Sequence, residues 1–193
     1  ADAGGKYTPT ASETLYAQWA ANTYTVVFNN NGGSGTMSNQ TMTYGTSSNL
    51  RTNTFTKSGY TFVGWNTNQD ATTAQYTNGQ SVNNLISENG GTVTLFAIWR
   101  KDITITYNVN GGTGSVTAST GTLYNSQANV NIKLSSTKPT REGHTFLGWS
   151  TSNTATSATY QPNTEYPFSD NTTLYAVWSV NTYTLTIDPN GGE

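Results

Sequence analysis

His144 is the only histidine in the chain, and its imidazole is the side chain that most directly suggests catalysis or metal binding. Imidazole titrates near neutral pH and acts as a general base or a metal ligand in many proteins. The phrase GHTFLGW at 143–149 contains this histidine, and GYTFVGW at 59–65 repeats it with Tyr60 in the same place. A residue needed for chemistry would not be exchanged for tyrosine in the sister phrase. We therefore expect both side chains to pack in a strand or to contact a ligand.

The ten acidic residues form no pattern that two copies of a hydrolytic site would share. Glycoside hydrolysis requires two carboxyl groups at a fixed separation. Around the two phrases the acids fall at unmatched positions: Asp70, Glu88, Asp102, Glu142, Glu165 and Asp170. Asp2 corresponds loosely to Asp70, but the second phrase has no acid there. Because cysteine is absent too, thiolate metal sites are excluded, and we expect no catalytic residue, cofactor or metal ion.

Two glycine-rich loops, NNNGGSG at 29–35 and NVNGGTG at 108–114, resemble phosphate-binding loops only superficially. A P-loop needs Lys followed by Ser or Thr after its glycines, and neither loop has that lysine. The GxSxG pattern of serine hydrolases is also absent. Lys57 aligns with Arg141, so the two phrases share no lysine for an internal lysine–asparagine crosslink. Both loops are predicted to be tight turns.

The tryptophans offer two interpretations. Exposed tryptophan and tyrosine rings beside asparagine could stack on sugar faces, whereas large aromatic side chains are more often packed inside. Four of them lie at the ends of expected strands in places that repeat: Trp65, Trp99, Trp149 and Trp178. This placement favours packing in a core or between repeats, and a sugar- or receptor-binding surface is the alternative.

The repeated phrases belong to a longer period of about 80 residues. YTVVFNNNGG at 24–33 recurs as ITITYNVNGG at 103–112 and YTLTIDPNGG at 183–192, and each closing phrase, such as TLFAIW at 94–99, ends in tryptophan. We predict a preceding partial unit, two complete repeats and the first strand of a following repeat, at 1–20, 22–100, 102–179 and 181–193. The linkers are short, so neighbouring repeats should form a semi-rigid rod.

Composition also favours a β-protein. Of the 193 residues 33% are hydrophobic, 12% aromatic and 9% charged, with 38 threonines and 23 asparagines. Threonine and tyrosine favour strands, and asparagine and glycine favour turns. The net charge of −2 gives no reason to expect nucleic acid as a partner. No apolar run approaches the roughly 20 residues of a membrane span, so we expect no membrane insertion.

Periodicity predicts where the strands lie. Tyr24, Val26 and Phe28 alternate with less apolar residues, as in a strand with one buried face. In 59–66 the same alternation puts Phe62 and Trp65 on opposite faces. The closing run at 92–99 is apolar on both faces, which is typical of a central strand. A helical turn or two is predicted within 79–91, with Val82, Leu85 and Ile86 facing inward.

In their order and spacing these phrases resemble the Listeria–Bacteroides repeat family over nearly the whole chain. The second unit has the family's proline and basic residue in KPTREG at 138–143, whereas FTKSG at 55–59 lacks the proline. The resemblance implies an α+β, predominantly β, small β-grasp-like (ubiquitin-like) fold with little helix. It also implies that the first and last strands lie side by side and parallel. Family members occur in secreted or wall-attached bacterial proteins, so an extracellular or cell-surface location is implied.

We therefore expect a non-enzymatic stalk, spacer or adhesin module of a bacterial surface protein, and the alternative is a module that binds carbohydrate or a host receptor. Its expected partners are neighbouring repeats of the same chain. Residues 1–19 and 181–193 look like halves of incomplete repeats. They could join two molecules head to tail by strand complementation.

Overall fold

A computed structural model describes Lys6, residues 8–188 and residues 190–191. Within these residues it contains eleven strands and no helix. In chain order they are β1 (Thr23–Asn29), β2 (Gln40–Thr43), β3 (Ser48–Asn49), β4 (Thr61–Asn66), β5 (Ser81–Val82), β6 (Thr92–Asn108), β7 (Ser119–Tyr124), β8 (Val130–Lys133), β9 (His144–Ser150), β10 (Glu165–Phe168) and β11 (Thr172–Val180).

One sheet runs through both repeats. Its strand order is β2-β1-β6-β11-β9, and β4 and β7 also pair with β6. The 17-residue strand β6 closes the first repeat and opens the second without interruption. In the first repeat β6 pairs with β1 in parallel, and in the second it pairs with β11 in parallel. The first and last strands of each repeat are therefore adjacent and parallel, as the resemblance implied.

Each repeat has its own core on one face of this sheet. Tyr24, Val26 and Phe28 are at most 6% exposed, so the predicted alternation in β1 is confirmed. Strand β6 is apolar on both faces, with Leu95 and Ile98 each fully buried. Burying large apolar side chains supplies most of the favourable free energy of folding. Here a few aromatic rings supply much of that buried area in a chain with a modest hydrophobic fraction.

The prediction that Phe62 and Trp65 face opposite sides of the sheet is wrong. The pairing of β4 with β6 shifts register between Phe62 and Gly64, which leaves Val63 as the extra residue of a β-bulge. A bulge changes the alternation by one residue, and the rings of Phe62 and Trp65 then meet with centroids 4.9 Å apart. The second repeat has the same irregularity, and Phe146 meets Trp149 at 5.1 Å.

The helical turns predicted within 79–91 are wrong as well. Ser81 and Val82 form strand β5, which pairs with β3, and the rest of the segment is irregular. Val82 is buried, and Leu85 and Ile86 pack against the first core, so the predicted inward residues are correct although the backbone is not helical. The α+β class is thus not what the described residues show, and the fold is predominantly β.

The incomplete units at the two ends form no strand in the described residues. Trp19 is 91% exposed, and Tyr183, Leu185 and Ile187 are at least 80% exposed. An extended segment gains little until a partner satisfies its backbone. Their pairing with another molecule stays a prediction. Parts of both units, and Asp2, lie outside the described residues.

Candidate interaction site at the repeat junction

Trp65 and Trp149 are the central core residues of their repeats. Both side chains are 0% exposed. Trp65 packs against Phe28 and Phe62 with ring centroids 5.0 and 4.9 Å apart. Rings buried in this way cannot present a face to a ligand, so these two tryptophans are packing residues.

The asparagine of the NGG motif in each glycine-rich loop forms hydrogen bonds between the end of the first strand and distant parts of its repeat. Asn31 adopts a positive φ of 47°, and its amide nitrogen donates to the Gln69 and Ala97 carbonyls at 2.8 and 3.0 Å. Asn110 makes the same two bonds to Asn153 and Ala176 in the second repeat. These asparagine and glycine residues are therefore occupied in structural turns.

Gly33 of the NGG loop is a glycine because the loop packs closely against Trp99, the tryptophan in the last strand of the first repeat. A Cβ on Gly33 would lie 2.7 Å from the Thr56 carbonyl oxygen and 3.0 Å from the Trp99 ring. Trp99 in turn donates its indole N–H to the Asn30 carbonyl at 2.8 Å. The NGG loop therefore packs against the Trp99 indole ring and accepts its hydrogen bond.

Asn125 joins the two repeats. It follows β7 in the second repeat, is 3% exposed, and exchanges two hydrogen bonds with Trp99: its Oδ1 accepts from the Trp99 N–H, and its N–H donates to the Trp99 carbonyl, both at 3.0 Å. Its Nδ2 donates to the Gln69 and Ala71 carbonyls at 3.0 and 2.7 Å. Asn125 thus satisfies backbone groups of the first repeat that water would otherwise have to reach.

Two lysines and Tyr60 complete the junction. The Lys57 ammonium donates to the Asn125 carbonyl and lies 4.6 Å from the centre of the Tyr60 ring. Burial lowers the pKa of Lys57. Lys101, in the linker, bonds Asp170 at 2.7 Å in the second repeat. Tyr60 contacts the cores of both repeats, so it lies between them and is only half-buried.

Replacing Asn125 with glycine is expected to weaken the junction by about 1–3 kcal/mol, because the buried Trp99 N–H would lose its acceptor. Glycine keeps the positive φ of 50° found at Asn125. Hydrogen exchange at the Trp99 amide should accelerate strongly, while exchange in the core of each repeat stays slow. The exposed neighbour Ser126 supplies the control as Ser126→Ala. Unchanged protection of Trp99 in Asn125→Gly would contradict this role.

Trp178 and His144 occupy the equivalent places at the far end of the second repeat, and both are half-buried. Trp178 donates its indole N–H to the Val109 carbonyl at 3.1 Å, and Nδ1 of His144 lies 2.8 Å from the Glu142 carbonyl oxygen. In the described part of the chain no group of His, Cys, Asp or Glu residues could hold a metal ion. His144 is the first residue of β9, and Tyr60 lies just before β4.

A groove beside the first strand recurs in both repeats. In the first repeat its volume is about 260 Å³ and Phe28, Thr36 and Met37 are among its lining residues. The corresponding groove of about 350 Å³ in the second repeat is lined by residues that include Tyr107 and Val116. No Asp, Glu, His or Lys is among the described residues that line these two grooves.

Sequence analysis missed Asn125, Lys57 and Lys101 as junction residues. Asn125 lies in a stretch of the second repeat, LYNSQAN at 123–129, that differs from its counterpart TYGTSSN at 43–49, so the features shared by both repeats do not include it. This difference between the two repeats is the sequence feature that could have identified Asn125.

The sequence pattern of the Listeria–Bacteroides repeat domain matches residues 24–98 and residues 104–177. The chain belongs to the Listeria–Bacteroides repeat family. Each match begins in the first strand of a repeat and ends in its last, so the two family repeats meet at the linker within β6. The Asn125 junction is thus a contact between two consecutive Listeria–Bacteroides repeats.

Two proteins of Evansella cellulosilytica are similar to these repeats. One, whose name describes a Gly-rich membrane protein, is 33% identical over 94% of this chain and 20% of its own length. The other, described as a membrane protein, is 34% identical over 95% of this chain and 25% of its own length. This chain therefore spans only a fifth to a quarter of these relatives. No helix in its described residues is long and apolar enough to cross a membrane.

A solved structure, the type 2 repeat of the mucus binding protein MUB from Lactobacillus reuteri, is also similar to this chain at 11% identity. The match covers 83% of this chain and 100% of that chain with a TM-score of 0.23. A similarity of this size carries no conclusion about the fold or the ligand of the Listeria–Bacteroides repeats described above.

Proposed function

We propose that the two repeats form a semi-rigid spacer that holds other domains of a bacterial surface or secreted protein at a distance. The observation that carries this proposal is strand β6, whose 17 residues belong to both repeats. At about 3.3 Å per residue such a strand spans about 55 Å. A single compact domain of this chain length would be only about 42 Å across by the usual scaling of radius with length.

The junction supports the same function because it limits bending between the repeats. Trp99, Asn125 and Lys57 connect the two units through buried or half-buried hydrogen bonds, and the linker strand is paired on both edges at Arg100. A flexible tether would lack such contacts. Sparse charge, 9% of residues, further suits a hydrated rod that avoids nonspecific electrostatic association.

We further propose that each repeat is β-grasp-like, non-enzymatic and extracellular. The parallel pairing of first and last strands in the middle of each sheet supports the β-grasp interpretation. In place of the helix typical of that fold, the first repeat has the irregular segment around β5. Binding of sugar or receptor through the tryptophans receives little support, since Trp65, Trp99 and Trp149 are at most 2% exposed.

Small-angle X-ray scattering over a concentration series tests the spacer function. We expect a maximum dimension of at least about 55 Å, from the length of β6, at every concentration. A compact particle near 42 Å would contradict the proposal. Growth of the particle with concentration would instead support head-to-tail pairing of the terminal segments, with Leu15, Tyr16 and Trp19 as the exposed apolar side chains of one partner.

A further inference from the structure

The junction shows which kind of surface a neighbouring repeat covers. On the first repeat this junction surface consists of Lys57, Tyr60 and Trp99. The turn that contains Asn125 bonds to the Lys57 ammonium and to the Trp99 backbone, and Trp99 is only 2% exposed. The contacts are a cation that donates to a turn carbonyl, a backbone edge that pairs with asparagine, and loop carbonyls that accept its amide.

The far end of the second repeat carries a cation, an aromatic ring and a tryptophan at the equivalent positions. We call Arg141, His144 and Trp178 the end surface. A Cβ on Gly111 would lie 3.5 Å from the Arg141 guanidinium, just as one on Gly32 would lie 3.6 Å from the Lys57 ammonium. Both cations therefore lie over the equivalent glycine of the NGG loop.

Two further features of the end surface match the junction surface. The Trp178 ring lies against the NGG loop, where a Cβ on Gly112 would come within 2.5 Å of it. Ala155 bonds the Ser152 carbonyl as Ala71 bonds that of Asn68, so the loop that presents acceptor carbonyls has the same turn.

The two surfaces differ in how far they are buried. Trp178 is half-buried, and Val180, two residues later on the same strand, is 71% exposed. Among the residues that the structure describes, no asparagine turn bonds to the Trp178 backbone as the Asn125 turn bonds to that of Trp99. The end surface is therefore an uncovered copy of an interface that the same chain uses once already.

We propose that the end surface is the docking site for one turn of an adjoining repeat, the turn after its second strand, which is equivalent to the Asn125 turn after β7. That repeat begins with residues 183–187. This inference rests on the proposed spacer function and names the contact that would extend the rod. Tyr183, Leu185 and Ile187 alternate like Tyr24, Val26 and Phe28, yet all three are at least 80% exposed. Such a strand is complete only when the rest of a repeat folds around it, and that repeat then lies beside Trp178.

The linker at this end is one residue longer than the linker within β6. Four positions separate Trp99 from Ile103, whereas five separate Trp178 from Tyr183. One extra residue in a strand reverses its faces unless a β-bulge absorbs it. Asn181 is held by its N–H bond to the Gly143 carbonyl at 2.8 Å and by the Thr145 hydroxyl at 2.6 Å. Thr182 is thus the residue that would form the bulge.

A chain extended by one repeat tests the docking site. Residues 1–182 would be followed by a second copy of residues 103–180, which keeps the native linker. Hydroxyl-radical footprinting with mass spectrometry then measures the oxidation rate of each tryptophan. Oxidation of Trp178 should fall several-fold in the extended chain and approach that of Trp99. The last tryptophan of the appended repeat, which has no cover, should oxidise as Trp178 does in the original chain.

A matched pair of variants in the appended repeat identifies the contact. Changing its copy of Asn125 to glycine should restore much of the Trp178 oxidation, and changing its copy of Ser126 to alanine should not. Undiminished oxidation of Trp178, with the appended copy of Trp149 protected and hence folded, would overturn the proposal. Small-angle scattering on the same samples distinguishes failure of the docking site from failure of the spacer function. If the maximum dimension grows by about 30 Å while Trp178 is still oxidised at its original rate, only the docking site is contradicted. If the maximum dimension does not grow, the spacer function itself is contradicted.

Discussion

The Trp65→Ala variant is expected to lose about 3–5 kcal/mol of folding free energy in the first repeat, the usual cost of removing a buried tryptophan side chain. Trp65 is 0% exposed and contacts the rings of Phe28, Phe55 and Phe62. The cavity would open at the centre of this aromatic group. A small domain has a total stability of about 5–15 kcal/mol, so the first repeat would be largely or partly unfolded.

Hydrogen exchange followed by mass spectrometry during urea titration measures this effect, because it reports the two repeats separately. The first repeat should lose protection at much lower urea than the second. The corresponding change at Trp149 should reverse that order. If Trp65→Ala shifts the first repeat by less than about 1 kcal/mol, Trp65 does not have the core position described above.

Phenylalanine replacements separate packing from hydrogen bonding. The indole nitrogen of Trp65 is buried without a partner among the described residues, whereas that of Trp99 donates to Asn30. Trp65→Phe removes a buried N–H that has no acceptor. Trp99→Phe should therefore cost about 1 kcal/mol more than Trp65→Phe, the typical net contribution of one hydrogen bond.

The Gly64→Ala variant is expected to destabilise the first repeat by about 2–6 kcal/mol, from backbone strain and overpacking together. Gly64 has a φ of 150°, and a Cβ there would lie 2.6 Å from both the Tyr76 carbonyl oxygen and the Ala74 Cβ. Neither group can move without disturbing the loop that covers the sheet at Trp65. The glycine of GYTFVGW is thus required by a close backbone approach.

Gly90→Ala is the matched control for Gly64. Gly90 also has a positive φ, 75°, but a Cβ added there would have no atom within 4 Å of it. Its replacement should cost only the strain, about 1–2 kcal/mol. Denaturation midpoints for the two variants give the difference. Equal losses would show that the contact at Tyr76 is not what restricts Gly64, and Gly148, with a φ of 133°, should behave as Gly64 does.

Sequence alone determined the repeat period, the strand β1, the two segments 92–99 and 103–108 that β6 joins into one strand, and the burial of their alternating side chains. These features follow from local chemistry, because alternation of apolar residues and Asn–Gly turns act within a few neighbouring positions. Comparison of the repeats also removed His144 from consideration as a catalytic residue. The structural role of the NGG loop was predicted as a turn, and the asparagine bonds to distant carbonyls explain its recurrence.

Tertiary structure decided what local pattern could not. The bulge at Val63 places Phe62 beside Trp65, and it depends on how β4 pairs with β6. Residues 79–91 lack a helix because Val82 is fixed by pairing with β3. Asn125 became a junction residue only because the second repeat places its turn against Trp99.

The clearest case is a pair of similar segments with different outcomes. ITITYN at 103–108 is part of β6, while YTLTID at 183–188 forms no strand, although both have the same alternation. The first is bordered by β7 and β11, which satisfy its backbone, and its apolar face packs in the core of the second repeat. The second has no such neighbours within the described residues. An alternating sequence specifies which face of a strand would be buried, and only strand partners distant in the chain make the strand form.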